Sequence, residues 1–339
     1  MTICAIILTV NNYALLKKSL TSLYQTHFPQ LKIFVFDNGS TVNLLNKLRR
    51  DFPQVEVWRE EKNLGFAEGN NRAIVATLLR YRPDYFLLFN NDALAHPDLF
   101  KVCLPYLKQG VDLLSPTILL SGGRGIDNVG IDYFRSGYAH SRLLPHNPAQ
   151  LPSGCCLFIS RAFVRKNLKL FGWVFNPLFF SYAEDLELGL RAKLFGAQTR
   201  VLDSALVTHR RLGTLGEANL FRHFVSWRNL LWTVITTWPR ATIRRNFGYI
   251  LWGQLVINAL YLWDGKFWLF PRIYLSTLKH LKELLATRRK IMAAVCRPQA
   301  LEQVFVGDIA RWSIFLKGRK LYRMGRALKS VYGYFKNRL

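Results

Sequence analysis

Three carboxylates fall within four residues at Glu184, Asp185 and Glu187, inside the run Phe179-Phe180-Ser181-Tyr182-Ala183-Glu184-Asp185-Leu186-Glu187-Leu188-Gly189-Leu190-Arg191. Acidic clusters normally lie in water, because burying an unpartnered carboxylate is costly. Here they follow an apolar run, and the helical Leu186-x-x-x-Leu190 spacing comes straight after. The pattern places the acids on the first turn of an amphipathic helix, where the N-terminus favours negative charge. A carboxylate carried into a cleft in this way can take a proton from an incoming hydroxyl. The same residues also fit an ordinary capped helix start with solvated acids, Glu187 being a surface acid that pairs with Arg191 at i,i+4.

Such a cluster must be positioned by a scaffold, and the first hundred residues supply one. Cys4–Val10, Lys32–Phe36, Val55–Trp58 and Tyr85–Phe89 read as strands, the first, second and fourth of them strongly apolar. Tyr13–Tyr24, Leu44–Phe52 and Gly69–Leu79 have helical spacing. Alternation of this kind implies βαβ units and a parallel sheet buried on both faces. Ligands bind such sheets beyond the carboxyl ends of the strands. Polar residues gather at those ends: Asn11 and Asn12, Asp37, and Asn90-Asn91-Asp92. Residues 110–150 read as loops and an irregular sheet. Pro152–Ser160 and Thr199–Thr208 read as later strands, and the span from Asn219 to Ile243 as a helix.

Composition bounds the remainder. The 339 residues carry 47 Lys and Arg against 21 Asp and Glu, a net charge of +26. The excess is concentrated in residues 221–339, with 22 basic residues against 4 acidic ones. Most of the tryptophans lie there too: Trp227, Trp232, Trp238, Trp252, Trp263, Trp268 and Trp312. Tryptophan beside Lys and Arg at the edges of apolar runs is the composition of a membrane-interface surface. Phosphate binding does not require this much apolar content, so an anionic membrane is the expected partner and nucleic acid is not. Asn246–Trp263 has 18 residues without a charge, near spanning length. It contains Gln254 and Asn258, however, and reads as a helix partly immersed in one leaflet or buried against its neighbours. Residues 309–339 read as a basic amphipathic tail. The five cysteines have no CxxC or metal-ligand spacing, and no basic leader precedes the first apolar run. Reduced thiols and a cytoplasmic location at the inner face of the plasma membrane are the expectation.

In order along the chain, Val10-Asn11-Asn12, Asp37-Asn38-Gly39-Ser40, Asn63-Leu64-Gly65-Phe66-Ala67-Glu68-Gly69-Asn70-Asn71, Asn90-Asn91-Asp92, Glu184-Asp185 and His209 resemble glycosyltransferase family 2, in particular its rhamnosyltransferase-like branch. The resemblance covers about residues 3–230. It implies an α/β chain with a GT-A fold: a Rossmann-like, mostly parallel sheet over residues 1–220, followed by a helical, membrane-associating extension over 221–339. It also implies a dTDP- or UDP-sugar donor, a saccharide or lipid-linked acceptor, a Mg²⁺ or Mn²⁺ cofactor and inversion at the anomeric carbon. On this pattern Val10, Asn12, Asp37, Asn63, Gly65, Ala67, Asn70 and Asn91 line the donor. Asp37 accepts from base or ribose, though it also suits an Asx-turn. The glycine-bearing loop from Asn63 allows close backbone approach at a helix start, and equally reads as an ordinary N-cap.

Asp92 and His209 are the expected metal residues. Many GT-A chains carry Asp-x-Asp where this one has Asn90-Asn91-Asp92, and the amide lowers the charge offered to a cation. Asp185 is the expected catalytic base, with Glu184 orienting the acceptor or the base, and Ser153-Gly154-Cys155 lies on the acceptor side. The implied activity is transfer of rhamnose or another hexose in bacterial cell-envelope polysaccharide synthesis. Two other classes stay open: a catalytically silent relative acting as a membrane scaffold, and a nucleic-acid-binding protein without a recognisable motif.

Overall fold

The computed structural model describes residues 1–122, 125–145, 150–210, 220–263 and 265–310. Its first half alternates as the apolar runs require: β1 (Ile3–Thr9), α1 (Tyr13–Tyr24), β2 (Leu31–Asn38), α2 (Leu45–Asp51), β3 (Glu56–Glu60), α3 (Gly65–Tyr81) and β4 (Tyr85–Phe89). β5 (Ala93–Ala95), α4 (Leu99–Lys108), β6 (Leu113–Leu120), β7 (Ile126–Asn128), β8 (Ile131–Phe134) and β9 (Ala139–Ser141) follow. Next come β10 (Cys156–Ser160), α5 (Arg161–Phe171), α6 (Glu184–Leu194) and β11 (Thr199–His209). The C-terminal part is helical, with α7 (Leu220–Thr237), α8 (Arg240–Trp263), α9 (Leu269–Lys279), α10 (Leu281–Ala293) and a last short strand β12 (Phe305–Gly307).

The main sheet runs β3-β2-β1-β4-β10-β6-β11-β5, with β7 added beside β6. Only its first four strands are uniformly parallel. β10 enters antiparallel between β4 and β6, which interrupts an otherwise mostly parallel order through β11. That reversal matters for the site, since it brings the start of β10 against the end of β4. β8 and β9 pair with β12 in a separate three-stranded sheet.

Strand β1 shows why both sheet faces are dry. Ala5 and Ile7 pack into a cluster with Leu16, Leu48 and Phe100, while Cys4 and Ile6 pack on the opposite face with Ile74, Phe163 and Leu188. Full burial of each such aliphatic side chain contributes about 1.5–3 kcal/mol. A third cluster joins Tyr133, Leu186 and Leu190 to Val234, Trp238 and Ile291, so the core crosses the expected boundary at residue 220.

Two expectations change. The helix expected over 219–243 breaks at Trp238-Pro239, because Pro239 has no N–H to donate and fits only where a new helix begins. Trp232 and Trp238 are fully buried rather than interfacial. Their indole N–H groups donate to Thr277 Oγ1 at 2.9 Å and to the Tyr133 hydroxyl at 2.7 Å. Among the described residues no helix is long and apolar enough to cross a membrane. The amphipathic tail beyond residue 310 lies outside the described residues.

Candidate active site

The carboxyl ends of β1, β2 and β4 lie side by side, and they bring Asn11–Asn12, Asp37 and Asn90–Asp92 to one edge of the sheet. The antiparallel entry of β10 pairs Cys156 with Phe89, and the Asn90 N–H donates to the Cys155 carbonyl at 3.0 Å. One residue earlier, the Gly154 N–H donates to Asp185 Oδ2 at 2.9 Å. Two residues of chain therefore connect the Asp92 loop to the acid on α6. Asp92, Asp127 and Asp185 all bear on the buried Cys155 thiol. Burial first, and then these three charges, push it well above its usual range, so it stays a neutral thiol.

His209 ends β11 opposite Ala93 of β5, which sets it beside Asp92. Its Nε2 lies 3.0 Å from Asp92 Oδ1 and its Nδ1 lies 2.7 Å from Asp127 Oδ2. Burial opposes charge on this ring, but hydrogen bonds to the two carboxylates outweigh it and push the imidazole up to about 9. Asp127 was not legible in the sequence: it sits on a three-residue strand in the irregular 110–150 region and belongs to no local motif.

Asp185 and Glu184 open α6 as the spacing predicts, and neither is a solvated surface acid. Asp185 is partly buried. Desolvation raises its pKa, an effect offset in part by the Gly154 and Leu186 N–H groups. Glu184 is buried at 6 % exposure, and its Oε2 makes no hydrogen bond among the described residues. Burial and then the neighbouring Asp185 charge hold its pKa well above the ordinary carboxylate range. Glu187 is fully buried, contrary to its reading as a surface acid. It pairs with Arg191 at 3.0 and 2.8 Å, and that guanidinium stacks on Phe171 and Trp173. This pair anchors α6 and does not face the site.

The loop before α6 is strained. Phe180, Tyr182 and Ala183 all have left-handed φ values, at 61°, 67° and 62°, and such residues cost about 1–3 kcal/mol each unless their surroundings enforce them. The enforcing group is Asn229 on α7, whose Nδ2 donates to the carbonyls of Phe179, Ser181 and Tyr182 at 2.8, 2.8 and 2.7 Å. Helical spacing marked Asn229 only as part of α7. The Ala67 N–H also donates to the Phe180 carbonyl at 3.0 Å, which joins this loop to the start of α3. Gly65 (φ +78°) is required there, since a Cβ would stand 2.5 Å from that carbonyl oxygen.

The remaining residues expected at the donor largely close loops. Asn12 caps α1 by accepting from the Leu15 N–H. Asn63 Oδ1 accepts from the Gly65 N–H and from Asn38 Nδ2. Asn70 Nδ2 donates to the Phe66 carbonyl and Asn91 Nδ2 to Thr9 Oγ1. Val10 follows β1 directly, half-buried beside this edge. Asp37 is buried. Its Oδ1 closes the expected turn on the Ser40 N–H, and its Oδ2 has no hydrogen bond but lies 3.7 Å from Arg59 Nε.

Among the described residues no three His, Cys, Asp or Glu side chains form a cluster able to hold a metal ion. Asp92 Oδ1 and His209 Nε2 are nevertheless spaced for two adjacent positions around one cation. Neighbouring ligands of an octahedral Mg²⁺ lie about 3 Å apart. Asp127 on the other ring nitrogen supplies the orienting partner that metal-binding histidines usually have.

Residues 4–168 match the model for glycosyl transferase family 2. Asp185 and His209 lie beyond that match. Among solved structures, residues 1–349 of S. aureus TarS in complex with UDP-GlcNAc superimpose with a TM-score of 0.52 at 17 % identity, covering 89 % of this chain and 84 % of that one. The same TarS segment in complex with UDP gives 0.50 at 18 %, covering 89 % and 90 %. A longer S. aureus TarS structure gives 0.50 at 18 %, and the chain spans 43 % of its length. These likenesses concern the fold. No curated protein is significantly similar in sequence. The chain thus carries a glycosyl transferase family 2 match over residues 4–168, on a GT-A fold.

Proposed function

We propose that the chain is an inverting glycosyltransferase that moves a hexose from a nucleoside-diphosphate donor to a hydroxyl of a saccharide or lipid-linked acceptor in cell-envelope polysaccharide synthesis. Rhamnose from dTDP is the first candidate and a UDP-hexose the second. The observation that carries this reading is the Gly154–Cys155 link, which holds Asp185 and the Asp92–His209 pair around one spot. Further support for a nucleotide-sugar donor comes from TarS, whose structures hold UDP-GlcNAc and UDP.

In this mechanism Asp185 takes the proton of the acceptor hydroxyl as that oxygen attacks the anomeric carbon. The bond from that carbon to the diphosphate breaks on the opposite face, which inverts the centre. Burial makes Asp185 a stronger base than a solvated aspartate, and the Gly154 N–H keeps its carboxylate aimed. Glu184, held protonated by burial, donates a hydrogen bond to the acceptor. Asp37 Oδ2 and Arg59 hold the nucleoside, and the Gly65–Ala67 turn approaches the donor through its backbone.

Mg²⁺ or Mn²⁺ would be held by Asp92 Oδ1 and His209 Nε2, with diphosphate oxygens and water completing its shell. When bound, the ion neutralises charge developing on the departing diphosphate. Nε2 must then be free of its proton, while Asp127 keeps the remaining one on Nδ1 and fixes the ring.

The test is a panel of nucleotide sugars with Mg²⁺ or Mn²⁺, read by thermal stabilisation and by release of nucleoside diphosphate. One donor is expected to stabilise the native chain and an Asp185→Asn variant alike, while the variant loses turnover by about 10²–10⁴-fold. Full turnover in Asp185→Asn would remove the base from this mechanism.

A further inference from the structure

Helix α8 buries Val256, Ile257 and Tyr261 and yet presents a second apolar side outward. Its inward side carries Thr242 and Asn246, both buried, and Asn246 accepts from Arg135 Nη1 at 3.2 Å. Gln254 and Asn258 spend their amides on the Tyr274 hydroxyl of α9. From Phe247 onward the outward positions recur at three- and four-residue spacing and are apolar. Phe247 is 60 % exposed, Leu251 50 %, Leu255 53 % and Leu262 55 %, with the small Gly248 and Ala259 between them. On α9, Leu275 and Leu278 are each 65 % exposed. A soluble surface helix keeps its outward side polar, and an apolar stripe of this length marks an interaction site.

We infer that this stripe seats the chain on the anionic lipid surface of a bilayer, with α8 lying in the interface plane. Its length and polarity exclude a span among the described helices, whereas an exposed apolar face with basic flanks is what interfacial helices present. The flanks are basic: Arg240 and Arg244 stand exposed at the head of α8, and Arg272 and Lys279 are exposed on α9. A second copy of the chain fits this face poorly, because each copy carries a net charge of +26 and pairing would oppose like charges. Anionic headgroups complement the same flanks. The buried Trp232 and Trp238 take no part, whereas Trp268, just before α9, stands exposed beside Phe267. The inference goes beyond the donor pocket and stands whether or not the proposed sugar transfer holds.

The experiment is flotation of the full chain with phosphatidylcholine vesicles, with and without phosphatidylglycerol, at low and high salt. The native chain is expected to float with anionic vesicles. A Leu251→Gln/Leu255→Gln variant is expected to lose at least about tenfold in partitioning at either salt. An Arg240→Gln/Arg244→Gln variant is expected to lose binding chiefly at low salt, where surface charges are least screened. Both pairs are exposed, so melting temperatures are expected to match the native chain and to separate loss of docking from loss of fold. Undiminished flotation of the leucine variant would overturn the inference. So would a native chain that never floats and sediments as a dimer that the leucine variant converts to a monomer, since a second copy would then cover the stripe.

Discussion

The Gly154 N–H donates to Asp185 Oδ2 across 2.9 Å, and a Cβ built on Gly154 would stand 3.3 Å from the Asp185 Cβ and 3.4 Å from that oxygen. The glycine is thus needed for its bareness as well as its amide. Gly154→Ala is expected to push the Asp185 carboxylate aside by a few tenths of an ångström, and displacements of this order at a reacting group cost about tenfold or more in kcat. Donor binding, measured by thermal stabilisation, should hold, because Asp37 and the Asp92 loop are untouched. An unchanged kcat would show that Asp185 does not need this aim.

Asn229 turns a helix of the C-terminal region into part of the site. One amide group holds three carbonyls of a loop with three left-handed residues. Asn229→Ala removes about 1 kcal/mol per hydrogen bond and releases the loop strain. Because one NH2 has only two hydrogens to share among the three carbonyls and the relaxed strain offsets part of the cost, a loss of about 1–2 kcal/mol in denaturant unfolding is expected, with a fall in kcat larger than any rise in donor KM. Loss of stability with full kcat in the remaining folded protein would make Asn229 a purely structural clamp.

Asp127 acts through His209 and touches no substrate in the mechanism. Asp127→Asn is expected to weaken Mn²⁺ binding by about 10–100-fold. Calorimetry in the presence of UDP, without any acceptor, checks this independently of turnover. Equal Mn²⁺ affinity in the variant would leave His209 oriented by other means.

How much of this was legible follows from the range of each signal. β1, α1, β4 and the start of α6 were readable because apolar periodicity and an acidic first turn are local properties. Asp37, Asp92, Asp185 and His209 stood out because each interrupts or ends an apolar run. Asp127 and Asn229 did not, since their roles come from partners 82 and about 50 residues away. The antiparallel entry of β10 was equally hidden, because an apolar strand carries no mark of direction. Composition pointed to tryptophans at the surface of the C-terminal part, and two of those it named are buried there. Trp232 and Trp238 look interfacial only until Thr277 of α9 and Tyr133 of β8 meet them in the folded chain.

Glu184 offers a test that reads the site through stability alone. Its folded pKa is raised, so the native state holds this proton more tightly than the unfolded chain, whose glutamate ionises near 4.3. Stability from that proton is intact below the unfolded value and is lost as pH rises through the raised folded value. Glu184→Gln keeps the shape, cannot ionise and removes the charge that would oppose Asp185. The melting temperature of the variant relative to the native chain is therefore expected to climb between acid and alkaline pH, while the glutamine Nε2–H can still donate to the acceptor. A difference in melting temperature that stays flat across that range would mean that Glu184 titrates as an ordinary solvated acid, and would remove it as the neutral donor beside Asp185.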